Sequence, residues 1–535
     1  MNMKTKAITM TLICLIFTGL FSGCASKSEQ ESNGQQSSTS QPVALAEKAE
    51  EKVLTFGSVG YFYNEQWDPA YGWDGWAIGS YGVGEGLFRL DDAFKAVPWL
   101  VESYQTADNK TWEFILRDDV VFHNGVKMTA EAVKRCFERT LEVNERAKEL
   151  LPIQGFEASG QSLKIVLSEA ATGLANDLTD PLWTVYDAEG STDFAEQTYY
   201  TGPYIPNEFN PGVELVVVKN EHYWGEAPKL DKAIFKTVKD ADALTMAFQN
   251  GEIDVVVQVP ETAIPVIQNA EHLKIDTSTG MRTQLIRFNM QSPAVQDAAV
   301  RKAISYSIDR DSYTKVISNN TTVPSYGIYP EAFTFGGIKN VTASVTAFDP
   351  EKAKQLLADA GFADTNGDGI LEKNGVKLSL KMIGISAQKE MLELSQVLQS
   401  QLQEIGIDLK VESMENISEA RKNGEFDLTY ESYVAGSTGN PQAFIEYMFV
   451  TDGSNNFGKY SNPEVDALAA SLHKASSEEE KNEAITGITQ HILDDAPFIF
   501  FAHKNFTCVY NSETVAYFHA QPSEFYILDS STEAK

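Results

Sequence analysis

VPWLVESYQTADNKTWEFILRDDVVFHNGVKMTAEAVKRCFERTL, residues 97–141, holds the local signals that set the fold class. Thr111–Leu116 alternates apolar and polar side chains, imperfectly, and predicts a strand. Asn124-Gly125 follows as a turn dipeptide, because both residues tolerate the backbone a tight turn needs. Thr129 then stands where a hydroxyl caps a helix, and Ala132, Val133, Cys136 and Phe137 recur behind it at helical spacing. The same grammar extends both ways. Upstream, Val53-Leu54-Thr55-Phe56 is a short apolar run closed by Gly57. Downstream, Leu163–Leu167 and Glu214–Val218 read as strands, Ala241–Phe248 as a helix ended by Asn250-Gly251, and Ile253–Val257 as another strand. Past Val259-Pro260 come a strand over Thr283–Phe288, a helix over Ala298–Ile308 and a helix opened by Pro350 and stopped at Gly361. A strand over Lys377–Met382 leads to a long helix over Ala387–Ile405, a strand over Ile407–Val411 and, finally, the apolar strand Phe498-Ile499-Phe500-Phe501. Strands and helices alternate throughout, so the expected fold class is α/β.

Composition narrows the function. With 535 residues, 43% of them hydrophobic and 22% charged, the chain is globular and long enough for two packed lobes. Acidic residues outnumber basic ones 75 to 43, for a net charge of -32, and a phosphate backbone would repel such a surface. Nucleic acid is therefore excluded as a partner. The four cysteines, Cys14, Cys24, Cys136 and Cys508, form no CxxC pair, and Cys136 and Cys508 read as buried thiols. The seven histidines, His123, His222, His272, His473, His491, His503 and His519, form no HxH or HxxxH pair. Asp364-Thr365-Asn366-Gly367-Asp368-Gly369 opens like a calcium loop, but its twelfth position is Gly375 rather than a bidentate glutamate, so a turn is expected. No GxSxG elbow and no phosphate-binding loop occurs, and nothing points to an enzyme or to a resident cofactor.

The N-terminus sets the compartment. Lys4 and Lys6 precede an almost unbroken apolar run from Ala7 to Phe21, and Ser22, Gly23 and Cys24 supply small residues at its end. This is the layout of a secretory signal over 1–23, and the run is short for a membrane span. A cysteine directly after the break resembles a bacterial lipoprotein signal, which implies lipid attachment at Cys24. Residues 24–50 are polar and hold no aromatic residue, so they read as a flexible linker between lipid and folded body. The expected location is outside the cytoplasmic membrane, on the surface of a Gram-positive bacterium rather than in a periplasm.

Several segments, in order, resemble the extracellular solute-binding proteins of the oligopeptide, dipeptide and nickel ABC importers (family 5). They are the stretch 97–141, with Leu-Arg-Asp-Asp-Val at 116–120; Thr201-Gly202-Pro203-Tyr204; Asn220-Glu221-His222-Tyr223-Trp224-Gly225; Ala247–Asp254; Arg287-Phe288-Asn289; Val300–Ile304; and Asp349-Pro350-Glu351-Lys352-Ala353. The resemblance covers nearly all of 52–525. It implies two lobes of a periplasmic-binding-protein-like fold closing on a ligand in the cleft between them, with a hinge of crossing strands. The lobes are expected over 51–258 and 259–500, with 501–535 returning to the first, an outward crossing near 258–280 and a return near Ile499–Lys504. It also implies a monomer that hands its ligand to ABC permease and ATPase subunits.

Asn144-Glu145-Arg146-Ala147 resembles the place where nickel-type members present an arginine to the carboxylates of an organic chelator. A guanidinium suits that task because it grips carboxylate with two prongs. A second arginine of that subgroup would fall near Leu182, which departs from the pattern. The second-lobe loop that supplies a Trp, a Tyr and a His in that subgroup reads Tyr433-Val434-Ala435-Gly436-Ser437-Thr438-Gly439-Asn440 here, without a histidine. Residues 61–84 mix aromatics with glycines, and most of these rings are expected in the core; Trp76 resembles the place where the subgroup has an apolar residue facing the site, with Trp73 or Tyr71 beside it. The expected ligand-binding residues are Arg146, Trp76, Tyr71, Trp73, Tyr433, Ser437 and Asn440, with no metal bound directly by the protein. The expected ligand is nickel or another transition metal held by an organic chelator. The alternative is a di- or oligopeptide, whose amino terminus would meet an acid such as Glu431.

Overall fold

Two long strands, Leu273–Phe288 and Phe498–Asn511, organise the chain. They pair antiparallel in two stretches, Leu273–Ser278 with Phe506–Asn511 and Arg282–Arg287 with Phe498–Lys504, with a break in register between. The computed structural model describes residues 50–535 except 61, 63, 339, 343–346, 387, 388, 473 and 476. The signal segment 1–23, Cys24, its linker up to 49, and His473 lie outside the described residues. Glu51–Lys535 forms one unit.

Among the described residues, eleven strands share one sheet through these two. On one side, Val255–Val257 pairs with Phe498–Asn511, and Val53–Ser58 lies parallel to Val255–Val257 and to Lys232–Thr237. Glu214–Lys219 and Tyr204–Asn210 complete that edge antiparallel. On the other side, Leu428–Val434 pairs antiparallel with Leu273–Phe288, and Ser379–Ile385 lies parallel to both Leu428–Val434 and Asp408–Met414. The expected α/β class holds.

The apolar faces collect into separate cores. One takes Leu54 through Val257 and then Phe506, Cys508 and Val515 to Ala534, and another takes Ile286 through Tyr430 with Ile499 and Phe501. A third cluster joins Leu90, Phe94 and Phe525 to Met281, Phe333 and Ile445. The stretch 97–141 gives two strands, Val101–Thr106 and Thr111–Leu116, to a four-stranded antiparallel sheet completed by Ser162–Leu167 and Ile153–Ser159, with the helix Ala130–Val143 against it. Thr129 caps that helix, its hydroxyl accepting from the Ala132 N–H at 3.2 Å. Val133, Cys136 and Phe137 are its buried face. Cys136 and Cys508 are free, buried thiols, as expected.

Some boundaries differ from the expected ones. The crossing strand begins at Leu273, because Glu261–Ala263 and Ile264–Ile267 take up the start of the crossing segment as short helical turns, with Pro265 in a first-turn position that needs no N–H donor. The strand expected over Lys377–Met382 divides at Leu378, whose N–H turns away to the Leu371 carbonyl at 2.8 Å. The Asp364–Gly369 segment is a turn: the Asp364 carboxylate accepts from the Gly367 and Gly369 N–H groups at 2.7 and 2.9 Å.

The segment Asn220–Gly225 has a physical purpose in the first core. Glu85 is buried, and its carboxylate accepts from Trp99 Nε1 (2.8 Å), Thr201 Oγ1 (2.7 Å), Tyr223 Oη (2.7 Å) and Trp224 Nε1 (3.0 Å). Burial pushes its pKa up and the four donors oppose that rise.

Candidate ligand-binding site

A cavity of about 1440 Å³ lies where segments of the two cores face each other. Trp73, Trp76, Arg146 and Asp177 line it from one side, and Tyr433, Ser437, Asn440 and Tyr447 from the other.

Arg146 is placed by its own helix start. Asn144 caps Glu145–Leu150, its side-chain carbonyl accepting from the Arg146 N–H at 3.0 Å. The Asn144 amide donates onward to the Ala70 and Gly72 carbonyls at 3.0 and 3.2 Å, which ties the helix to the aromatic loop. The guanidinium grips Asp180 through both terminal nitrogens at 3.1 and 3.2 Å and sits 4.1 Å over the Trp73 ring. Its Nε is buried without a hydrogen-bond partner. Two contacts thus fix the group, and donor capacity remains on it.

Trp73 is 64% exposed, an unusual state for the largest apolar side chain unless something covers it. Trp76 beside it is half-buried, edge-on to Trp73 at 6.5 Å and to Phe525 at 5.0 Å. Tyr71 is exposed and stands outside the lining, because the turn that starts the next helix spends its carbonyl on the Asp74 N–H and leaves its ring outward. Trp67, Phe62 and Tyr81 of the same loop are core residues.

Opposite, Tyr433 is held from behind. Its hydroxyl accepts from Arg421 at 3.3 Å, and Arg421 also reaches Glu431 at 3.3 Å. Arg287 grips the same carboxylate through Nε at 2.9 Å and a terminal nitrogen at 2.5 Å. Glu431 is therefore buried between two guanidinium groups and does not line the cavity, which corrects its expected availability to a peptide amine. Leu182, where a second arginine would fall, is buried in the first core. Ser437 lines the cavity half-buried. Asn440 lines it too, but its amide is engaged: Nδ2 donates to both oxygens of Asp177, at 2.8 and 2.9 Å.

Asp177 and Tyr447 went unremarked in the sequence. A single aspartate at a helix end carries no signal of its own, and only the fold brings it opposite Asn440. No described histidine or cysteine lines the cavity, and among the described residues no group of three or more His, Cys, Asp or Glu could hold a metal ion. His503 instead is part of the crossing strand Phe498–Asn511, bonded to Thr283 Oγ1 (3.1 Å) and Ser325 Oγ (2.7 Å), and burial pushes it down to about 3. No helix of the described residues is long and apolar enough to cross a membrane.

Residues 95–456 match the bacterial extracellular solute-binding proteins, family 5 (middle region). The nickel-binding protein NikA of Staphylococcus aureus is 26% identical over 452 residues, covering 84% of this chain and 89% of its own. Its crystal structure in complex with Ni(L-His)2 superposes with a TM-score of 0.74 at 25% identity, over 90% of this chain and 100% of that one. A nickel ABC transporter structure from Bacillus halodurans gives 0.79 at 25% identity, with the same two coverages of 90% and 100%. The oligopeptide-binding protein AppA of Bacillus subtilis is 25% identical over 438 residues, covering 78% of this chain and 80% of its own.

Proposed function

The chain belongs to the bacterial extracellular solute-binding proteins of family 5, and from that premise we propose that it captures a metal chelate of the metallophore type and delivers it to the permease and ATPase subunits of an ABC importer. The observation that carries this reading is a cavity walled by Arg146 and Trp73 with no described histidine or cysteine in its lining. A metal entering such a site arrives already coordinated, so the protein reads the chelator. Arg146 and Lys148 meet its carboxylates, Trp73 and Trp76 cover its apolar parts, and Tyr433 and Ser437 offer hydrogen bonds. Nickel is cargo here, not a resident cofactor. The resemblance to nickel-binding NikA supports the choice of metal. The volume, above the roughly 300–1,000 Å³ of common small-molecule sites, favours a chelator with several arms.

One observation favours a short peptide as the second reading. Leu428–Val434 meets Ser379–Ile385 only through Leu428 and Thr429, so on that side Ser432–Val434 carries no strand partner among the described residues, and it faces the cavity. An extended peptide adds to such an edge through its backbone.

The protein works as a monomer, held outside the cytoplasmic membrane by lipid on Cys24 and the linker 24–50, with its lobes over 51–258 and 259–500 and 501–535 returning to the first. Metabolic labelling with a fatty acid, lost in Cys24→Ala, tests the anchor. A thermal-stability screen tests the ligand, since a ligand at 100 times its Kd adds about 2.7 kcal/mol. Nickel with histidine, nickel with polycarboxylate chelators and di- to pentapeptides form its arms. Stabilisation by chelates alone supports the first reading, stabilisation by peptides alone replaces it with the second, and none by any arm removes both.

A further inference from the structure

The cavity is bridged by side chains that bind each other. Asn176 donates from Nδ2 to the Thr438 carbonyl at 2.6 Å and to the Phe94 carbonyl at 3.2 Å. Asn440 spans both oxygens of Asp177, and the Thr438 hydroxyl reaches the same carboxylate at 3.4 Å. Beside them the rings of Phe94 and Phe333 stack at 4.3 Å, nearly parallel at 10°. Two glycines make the approach possible. A Cβ on Gly439, which has φ +69, would lie 2.0 Å from the Phe94 carbonyl oxygen, and one on Gly173 would lie 2.4 Å from the Asn440 amide nitrogen. Room has thus been left on both sides for the same few contacts.

We propose that Asn176 and Asp177 of the first lobe and Thr438 and Asn440 of the second form a latch that holds the lobes together before any ligand arrives. Affinity is then set partly by contacts between the lobes, since a preformed closed state lowers the cost of closure. The ligand's identity does not enter, so this inference stands or falls apart from the function proposed above.

The latch also takes up a proton. Burial lifts Asp177 from its ordinary 3.8 to about 7, against the Asn440 and Thr438 hydrogen bonds; Asp180, itself paired to Arg146, adds to the rise, and Lys481 opposes it. In an open cleft the carboxylate is hydrated and titrates near its ordinary value. The closed form therefore binds the proton more tightly, and closure strengthens as pH falls from above 7 toward 4. A protonated Asp177 keeps an oxygen for the Asn440 amide.

The test measures the distance between one spin label on each lobe, in full-length protein unfolded and refolded to strip any ligand. Wild type is expected to be closed at about pH 5.5 and partly open at about pH 8.5. Asn440→Ala and Gly439→Ala are expected to be open at both, with Asn440→Ala sufficient by itself if Gly439→Ala fails to fold. Asp177→Asn, which mimics the protonated acid, is expected to stay closed at both. Distances in Asn440→Ala matching wild type, or a wild type open at both pH values, would overturn the latch. A pH response surviving in Asp177→Asn would overturn the proton's part in it.

Discussion

Arg287 and Arg146 each grip a carboxylate through two nitrogens, yet they sit in opposite kinds of place. Arg287 has no exposure at all and Glu431 has 3%; a second guanidinium, Arg421, closes the other side, and the remaining Arg287 nitrogen reaches the Asn455 carbonyl. Arg146 keeps 22% exposure, an unpaired Nε and a largely bare indole above it. In the first place the pair is sealed from water, and it holds up the wall that carries Tyr433 and Asn455. In the second the pair is part of the wall's inner face and has donors left. The same two residue types are scaffold or site according to what water and neighbours leave unsatisfied.

The comparison can be broken at its stronger end first. Glu431→Ala leaves two buried guanidinium groups facing each other, and we expect a loss of about 3–5 kcal/mol in chemical denaturation. A loss below about 1 kcal/mol would mean that the triad is solvated after all. Arg146→Ala should weaken binding of a carboxylate-bearing chelate by about 1.5–3 kcal/mol in calorimetry, with little change in unfolding. Unchanged affinity would move Arg146 to the scaffold class. Asp180→Ala should cost about 1–2 kcal/mol of stability, from the cap it provides to Leu182 and a guanidinium that water can partly reclaim. A cost equal to that of Glu431→Ala would erase the distinction. Tyr433→Phe removes one bond from Arg421 and should cost about 0.5–1.5 kcal/mol, in stability if Tyr433 only braces the wall, and in affinity if its hydroxyl also meets the ligand.

Much of the fold was legible because it rests on short-range rules. Thr129 caps its helix as its spacing from Ala132 requires, the alternation in Leu163–Leu167 places that strand, and the short β-branched run in Glu214–Val218 places the other. The crossing strands were harder. Only Thr283–Phe288 reads locally as a strand, while Leu273–Ser278 pairs across the molecule with residues more than 220 positions away and needs no local pattern to do so. The candidate site was legible through likeness rather than local rule. Trp73, Trp76, Arg146, Tyr433, Ser437 and Asn440 all line one cavity, whereas Tyr71 does not. Whether a residue faces that space depends on the turn carrying it, and one turn separates Tyr71 from Trp73.

Local spacing, capping and turn chemistry act over a few residues, and so the linear chain by itself determined the α/β class, the aromatic loop and the family. Pairing was left to the fold. Glu431, Asp177 and Asp180 are indistinguishable acids on paper. Their fates are decided by Arg287, Asn440 and Arg146, which lie 144, 263 and 34 positions away in the chain. The free energy of a charge depends on which dipoles and counter-charges surround it in space, and only tertiary structure brings those together.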